Sequence, residues 1–134
     1  MHAEPSSSAV PHAAVAGIGV DTVDIQRFEK QLARTPALRE RLFTPDEREI
    51  PTRSLAARFA AKEALIKALG GSEGINWHDL EVLRVRGEKP AFSATPELVA
   101  VLGERGYAWP HLSLTHDGGV ATAFVIIEYG RKER

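Results

Sequence analysis

Three charged residues, Asp21, Glu63 and Lys67, have types and spacing that suit chemistry at a phosphate group. Two carboxylates on separate rigid elements can hold a hard cation such as Mg²⁺, and waters and substrate phosphates then complete its shell. Two other interpretations stay open. The carboxylates could be unrelated, and the four-residue spacing of Glu63 and Lys67 also suits a helix-surface ion pair worth about 0.2–0.5 kcal/mol.

The segment 54–70 predicts a long helix that carries two of these residues. Ser54 is a candidate cap for its start, and Gly70 is a candidate terminator. At about 100° per residue, bulky apolar side chains form one stripe and six alanines cover most of the opposite side. No polar face remains, so we expect a helix buried nearly all round. Its charged side chains then need partners such as a metal or a phosphate, unless they extend along apolar surface to water.

The segment 15–21 predicts a strand that brings Asp21 towards this helix. Ile18 and Val20 share one face, whereas Gly17, Gly19 and Asp21 share the other. Glycines on one face let another backbone approach closely, and the alanine side of the long helix is the natural candidate. Asp21 would then lie near Glu63.

The remaining pattern predicts an α+β fold with a mostly antiparallel sheet and helices packed on one side. Helices are expected after Thr22 or Asp24, within 35–42, after the capping box at 44–47, and from Thr95 to Gly103 or Gly106. Strands are expected over 80–85, 91–93, 111–116 and 120–128, the last two as a hairpin. We expect one domain over 14–130, with flexible tails at 1–13 and 131–134.

Three further patterns are weaker. Gly17-Ile-Gly19 begins like a dinucleotide fingerprint, but the third glycine and the required βαβ unit are missing. Ser113, His116 and Asp117 could be drawn as a triad, yet Ser113 and His116 point to opposite faces of a regular strand. His116 alone also suits a solvent-facing role at a turn. Residues 27–58 carry eight basic and five acidic side chains, which suits an acidic partner or an ordinary solvated surface.

Composition limits the function classes. The 134 residues carry a formal net charge of −1, which gives no general case for nucleic acid or membrane binding. No apolar run is long enough to span a bilayer. The chain has no cysteine, which excludes disulfides and thiolate metal sites. We expect a cytoplasmic protein.

The motifs together resemble the holo-acyl carrier protein synthases, the small single-domain 4′-phosphopantetheinyl transferases. The resemblance covers about residues 17–127. Its motifs are Gly17-Ile-Gly-Val-Asp21-Thr-Val-Asp-Ile-Gln-Arg27-Phe28, Arg41-Leu-Phe-Thr-Pro-Asp-Glu47, Ala57-Arg58-Phe-Ala-Ala-Lys62-Glu63-Ala-Leu-Ile-Lys67-Ala, Trp77-His-Asp-Leu-Glu-Val82, Gly87-Glu-Lys-Pro90 and His111-Leu-Ser-Leu-Thr-His116-Asp117. The signature helix and the opening strand, in this order and chain length, make the resemblance specific.

The resemblance implies transfer of 4′-phosphopantetheine from coenzyme A to a serine of an apo acyl carrier protein, with release of adenosine 3′,5′-bisphosphate. The carrier is either a free protein or a domain of a fatty acid or polyketide synthase, and the modified carrier serves fatty acid biosynthesis. Mg²⁺ is the implied cofactor. A homotrimer with active sites between neighbouring subunits is the implied assembly.

Residue roles also follow from the resemblance. Asp21 and Glu63 match metal ligands, and Lys67 matches the lysine beside the transferred phosphate. Glu63, directly or through a bound water, would take the proton of the carrier serine. Arg27 matches a position on the carrier-docking helix. The positions matched to coenzyme A binding are Arg58, Lys62, Lys67, Thr115 and His116. The competing hypothesis is a trimeric module that binds coenzyme A or a nucleotide without catalysis.

Overall fold

The computed structural model describes residues 14–84 and 87–130. The predicted tails at 1–13 and 131–134 lie outside these ranges, as does the end of the strand expected over 80–85. The strands are β1 (Val15–Asp24), β2 (Val82–Leu83), β3 (Ala91–Phe92), β4 (His111–Asp117) and β5 (Val120–Glu128). The helices are α1 (Ile25–Arg34), α2 (Ala37–Leu42), α3 (Pro45–Arg48), α4 (Thr52–Leu69) and α5 (Pro96–Arg105), with a 3-10 helix at Trp77–Leu80.

The main sheet has three antiparallel strands in the order β1-β5-β4, and β2 and β3 form a separate antiparallel pair. Helix α4 packs across β1 and β5 and against α1, and an ion pair between Lys62 and Glu47 joins it to α3. Two groups of buried apolar side chains fill the space on the helix side of the sheet, one around the C-terminal half of α4 and one around α1 and Phe43. The predicted α+β architecture is confirmed.

The two glycines of β1 set the distance between this strand and α4. A Cβ atom added to Gly17 would lie 1.9 Å from the carbonyl oxygen of Ala68, and one added to Gly19 would lie 1.8 Å from that of Ala64. No side chain fits at such distances, so strand and helix touch through their main chains. The predicted contact between the glycine face and the alanine face is confirmed.

Several boundaries differ from the sequence prediction. Helix α4 begins at Thr52 behind Pro51, with no side-chain cap, so the prediction of Ser54 as the cap is wrong. The proline ring fixes φ at Pro51, and the helix starts three residues earlier than it would behind a cap at Ser54. Residues 77–80 form a 3-10 helix, which leaves β2 only two residues long. Asp24, rather than Thr22, caps α1 by accepting a hydrogen bond from the amide of Arg27.

The face of the sheet that points away from α4 is apolar and exposed. Ile18, Val20 and Phe124 lie there with relative exposures of 58%, 48% and 41%, and Val20 and Phe124 are direct cross-strand neighbours. Contiguous exposed apolar surface is typical of an interaction site. Within the part of the chain that the structure describes, no helix is both long enough and apolar enough to span a membrane.

Candidate active site

Asp21 and Lys67 meet at the edge of β1. Lys67 Nζ donates to Asp21 Oδ1 at 3.0 Å and to the carbonyl oxygen of Val20 at 3.1 Å. Lys67 is half exposed, with 54% of its side-chain surface accessible, whereas Asp21 is more enclosed at 18%. An exposed ion pair of this kind contributes little to stability, so the lysine remains able to move towards a ligand.

Glu63 completes this cluster one turn before Lys67. Burial raises the pKa of the Glu63 carboxyl, the charge of Asp21 raises it further, and Lys67 opposes both effects. The two carboxylates therefore lie near enough for their charges to repel each other. Both line a cleft of about 320 Å³, here called the carboxylate pocket, which also includes Arg27. The predicted proximity of Asp21 and Glu63 is confirmed.

The donor set of the carboxylate pocket fits Mg²⁺ bound together with a phosphate. Among residues 14–84 and 87–130, no group of three or more His, Cys, Asp or Glu side chains could form a protein cage for a metal ion. Two carboxylates next to open space match the way Mg²⁺ is held, by one or two carboxylates, waters and substrate phosphates. Asp21 and Glu63 would be its protein ligands.

A second pocket is basic. Arg58, Arg84 and His116 line it together with Ser54 and Leu114, around a volume of about 150 Å³. Burial lowers the pKa of Arg58, Glu47 opposes this shift, and the nearby charge of Arg84 lowers the pKa further. Cations that repel one another in a small pocket suit a phosphate group. Sequence reasoning identified Arg58 and His116 but missed Arg84, which lies on the loop after β2 and has no motif of its own.

The carboxylate pocket and the basic pocket lie on opposite flanks of α4. Glu63 and Arg58 are five residues apart, which is about 140° around a helix. The contacts agree, because Lys67 reaches β1 while Arg58 shares a pocket with β4 residues. β1 and β4 are separated by β5, so two strand spacings of about 4.8 Å each lie between them. One chain therefore presents these two pockets, here called the carboxylate half-site and the basic half-site, on separate flanks of α4.

Two residues assigned by resemblance to coenzyme A are placed elsewhere. The side chain of Lys62 is fully buried, and its Nζ donates to Glu47 Oε1 at 2.7 Å and to the carbonyl oxygen of Trp77 at 3.0 Å. Direct contact of Lys62 with a ligand is therefore inconsistent with this structure. Thr115 lies on the outer face of β4, opposite His116, so the two do not line one pocket within a chain.

An aromatic groove lies beside the carboxylate pocket. Phe59 stacks between Phe28 at 5.2 Å and Trp77 at 5.6 Å, measured between ring centroids. These rings line a groove of about 500 Å³ with Arg34 and Arg41 at its edge. Arg27 lies on the exposed side of α1, next to the junction of this groove and the carboxylate pocket.

The family assignment agrees with this arrangement. The chain belongs to the 4′-phosphopantetheinyl transferase superfamily, whose family model matches residues 17–125. Within that class it is similar to enzymes called holo-[acyl-carrier-protein] synthase. The protein of that name from Leifsonia xyli subsp. xyli is 60% identical over 114 residues, which cover 85% of this chain and 97% of the relative.

Solved structures agree with the fold. The holo-[acyl-carrier-protein] synthase of Neisseria meningitidis superposes with a TM-score of 0.79 at 31% identity, covering 86% of this chain and 99% of that one. The Helicobacter pylori holo-[acyl-carrier-protein] synthase in complex with coenzyme A superposes with a TM-score of 0.70 at 28% identity, covering 82% and 98%.

Proposed function

We propose that this chain transfers 4′-phosphopantetheine from coenzyme A to a serine hydroxyl of an apo acyl carrier protein and releases adenosine 3′,5′-bisphosphate. The observation that carries the proposal is the cluster of Asp21, Glu63 and Lys67 at the contact of β1 with α4. A module that only binds a polyanion would gain nothing from two adjacent carboxylates, because they repel it unless a cation intervenes.

Mg²⁺ is the proposed cofactor, held by Asp21 and Glu63. When bound there, it would neutralise charge on the pyrophosphate and orient it for in-line displacement. Its charge would also offset the repulsion from Asp21 that adds to the effect of burial in raising the pKa of Glu63.

The chain's own residues supply the remaining chemistry. The serine oxygen of the carrier attacks the phosphorus that bears the pantetheine, and the bond from that phosphorus to the bridging oxygen breaks. Glu63 accepts the serine proton, and Lys67 swings from Asp21 to stabilise the phosphate oxygen that leaves with the adenosine bisphosphate. The nucleophile belongs to the carrier, so no activated serine is required in this chain.

The carrier protein is proposed to dock on α1, beside the carboxylate pocket. Arg27 lines that pocket from α1, and Lys30, Arg34 and Arg41 extend the positive charge across α1 and α2. A positive surface next to the reacting groups suits an acidic carrier and speeds its association. The aromatic groove would receive an apolar side chain of the carrier.

The position of the basic pocket supports a homotrimer with shared active sites. Arg58, Arg84 and His116 fit the 3′-phosphate of coenzyme A, but they lie across α4 from the carboxylates of the same chain. In a head-to-tail ring, the β4 flank of one subunit meets the β1 flank of the next, and each site becomes complete. The exposed apolar face of the sheet would be covered in such a ring, and Thr115 on that face could then meet a neighbouring site.

The first experiment is transfer observed by intact mass spectrometry. Purified protein is incubated with coenzyme A, Mg²⁺ and an apo acyl carrier protein, and the carrier is weighed before and after. We expect a mass gain of one phosphopantetheine, abolished by EDTA and restored by added Mg²⁺. No gain with several carriers, despite measurable coenzyme A binding, would favour the binding-module hypothesis.

The same assay defines the substrate range and setting. Free carrier proteins and isolated carrier domains of synthases are compared at equal concentration, and the best substrate indicates the biological partner. We expect a carrier of fatty acid biosynthesis and a cytoplasmic location, where coenzyme A and apo carrier are available together. Cell fractionation with an antibody to the protein tests the location.

A further inference from the structure

One buried ion pair has no part in the proposed chemistry. Lys62 and Glu47 are both fully buried, and Lys62 Nζ lies 2.7 Å from Glu47 Oε1. Burial lowers the pKa of Lys62, and Glu47 opposes that shift through its charge and its hydrogen bond. Apolar side chains of similar size at such positions often give equal or greater stability. Stability alone therefore does not explain why two charged side chains are buried at these positions.

Glu47 connects three parts of the chain. Its Oε1 accepts from the amide of Thr44 at 3.0 Å as well as from Lys62, and its Oε2 accepts from the amide of Val82 at 2.9 Å. Helix α3, helix α4 and strand β2 are thus joined at one carboxylate. No buried side-chain nitrogen or oxygen lacks a hydrogen-bond partner among the described residues.

One branch of this network leads to the carboxylate half-site. Lys62 donates to the main-chain carbonyl of Trp77 at 3.0 Å, which fixes the backbone that carries the indole. Trp77 in turn lines a pocket of about 320 Å³ that also contains Glu63, Ser72 and Asn76. The position of Trp77 in the wall of this pocket, relative to Glu63, therefore depends on Lys62.

The other branch leads to the basic half-site. The peptide groups of Val82 are held from two sides, because its amide donates to Glu47 and its carbonyl accepts from Arg58 Nε at 3.2 Å. Arg84 follows two residues later and lines the basic pocket with Arg58. The spacing of these two arginines therefore depends on Glu47.

We propose that Glu47 and Lys62 are a positioning pair that holds Trp77 beside the carboxylate pocket and Arg84 beside Arg58, so that coenzyme A meets both half-sites in the correct geometry. The proposal rests on the function proposed above. It replaces the direct contact between Lys62 and coenzyme A that the resemblance implied. A displacement of about 1 Å in such a framework can reduce turnover by up to about a hundredfold.

The test separates positioning from stability by replacing both charges together. Lys62→Met with Glu47→Gln leaves no unpaired buried charge, so this double variant is the one most able to fold. Glu47→Asp is the second variant, because it keeps the charge but draws the carboxylate back by about one bond length. Arg105→Met is the matched control, since it removes a 2.8 Å hydrogen bond to the carbonyl of Leu69, while Arg105 lines none of the pockets that contain Glu63 or Arg58.

Coenzyme A binding by titration calorimetry is the main readout, because it does not require transfer. In variants whose circular dichroism and molecular mass match wild type, we expect the double variant to weaken binding at least about tenfold and Glu47→Asp about threefold. Arg105→Met should leave the Kd unchanged even if it lowers Tm.

A second readout uses Trp109→Phe, which leaves Trp77 as the single tryptophan of the chain. In that background the double variant should increase acrylamide quenching of Trp77.

The outcomes are distinct. Folded variants with the Kd, KM and Trp77 quenching of wild type would overturn the positioning role and leave the pair as a purely structural one. If the double variant does not fold, Glu47→Asp decides the question by the same measurements. If wild type binds coenzyme A but transfers nothing, the proposed function fails, while the Kd of the variants still tests the positioning pair.

Discussion

If each active site is shared between two subunits, two inactive variants should restore activity when they assemble together. The first variant is Glu63→Gln, which disables the carboxylate half-site. The second is Arg84→Ala combined with His116→Ala, which removes a guanidinium and an imidazole from the basic half-site. Charge-assisted hydrogen bonds contribute about 1.5–3 kcal/mol each, so this second parent should lose at least about two orders of magnitude in kcat/KM for coenzyme A.

The expected recovery of activity follows from the geometry of the proposed trimeric ring. In a head-to-tail trimer, each site takes its carboxylates from one subunit and its basic pocket from the next. Any trimer that contains both variants, in either ratio, has a single junction where the intact carboxylates meet an intact basic pocket. We therefore expect mixed trimers to have about one third of the wild-type turnover, although both parents are nearly inactive.

The assay requires trimers of defined composition. The two variants are co-expressed with different affinity tags, purified over both columns in sequence, and assayed for carrier modification by mass spectrometry. As a control, a chain that carries all three substitutions is co-expressed with wild type, so that both half-sites are disabled in the same subunit. Mixed trimers no more active than their parents would contradict the shared site and mean that coenzyme A reaches both pockets of one chain. A monomer in sedimentation analysis would contradict the trimer itself.

Three further predictions concern the strand-helix contact, the carboxylate pair and the docking surface. Gly19→Ala should lower the free energy of unfolding by about 1–3 kcal/mol or more and reduce transfer, because its Cβ would overlap a carbonyl oxygen of α4. Gly103→Ala is the control, because its Cβ meets open space and should change neither property. Equal urea midpoints for the two variants would refute the strand-helix contact. Glu63→Gln should abolish transfer yet raise the Tm of the metal-free protein by about 2 °C at neutral pH. Burial and Asp21 raise the pKa of Glu63, so Glu63 stabilises the fold below its ordinary pKa, and that contribution is lost as pH rises through its native pKa. The Tm advantage of Glu63→Gln over wild type should therefore grow with pH, and an advantage that shrinks as pH rises would refute this reasoning. Arg27→Glu should raise the KM for the carrier about tenfold and leave the Kd of coenzyme A unchanged, and a similar change in both would exclude the docking role.

The part of the site that depends on local periodicity could be predicted from sequence. The alternation of Gly17 and Gly19 along a strand and the alanines along a helix each define a face without knowledge of the rest of the fold. Matching the two faces by shape was enough to bring Asp21 near Glu63. The α+β class followed in the same way from the order of strand and helix patterns.

The part that depends on tertiary contacts between irregular segments could not be predicted. Lys62 lies in the signature helix beside Glu63, and nothing in its spacing distinguishes a ligand from the partner of Glu47 fifteen residues earlier. Arg84 follows a strand that is only two residues long, and its place depends on how that strand pairs. The start of α4 was misplaced because Ser54 has a capping side chain, whereas Pro51 acts through its backbone.

The main-chain contact of β1 with α4 also bears on how this protein can change without losing activity. The separation of the two carboxylates is set by backbone atoms in van der Waals contact at Gly17 and Gly19, not by the volumes of intervening side chains. We expect exchanges among apolar core residues of α5, such as Leu98 or Val101, to alter packing but leave that separation in place. Thermal stability and catalytic rate should therefore be separable in this fold. Substitutions in the core, whether natural or engineered, can change the stability while the catalytic rate stays the same.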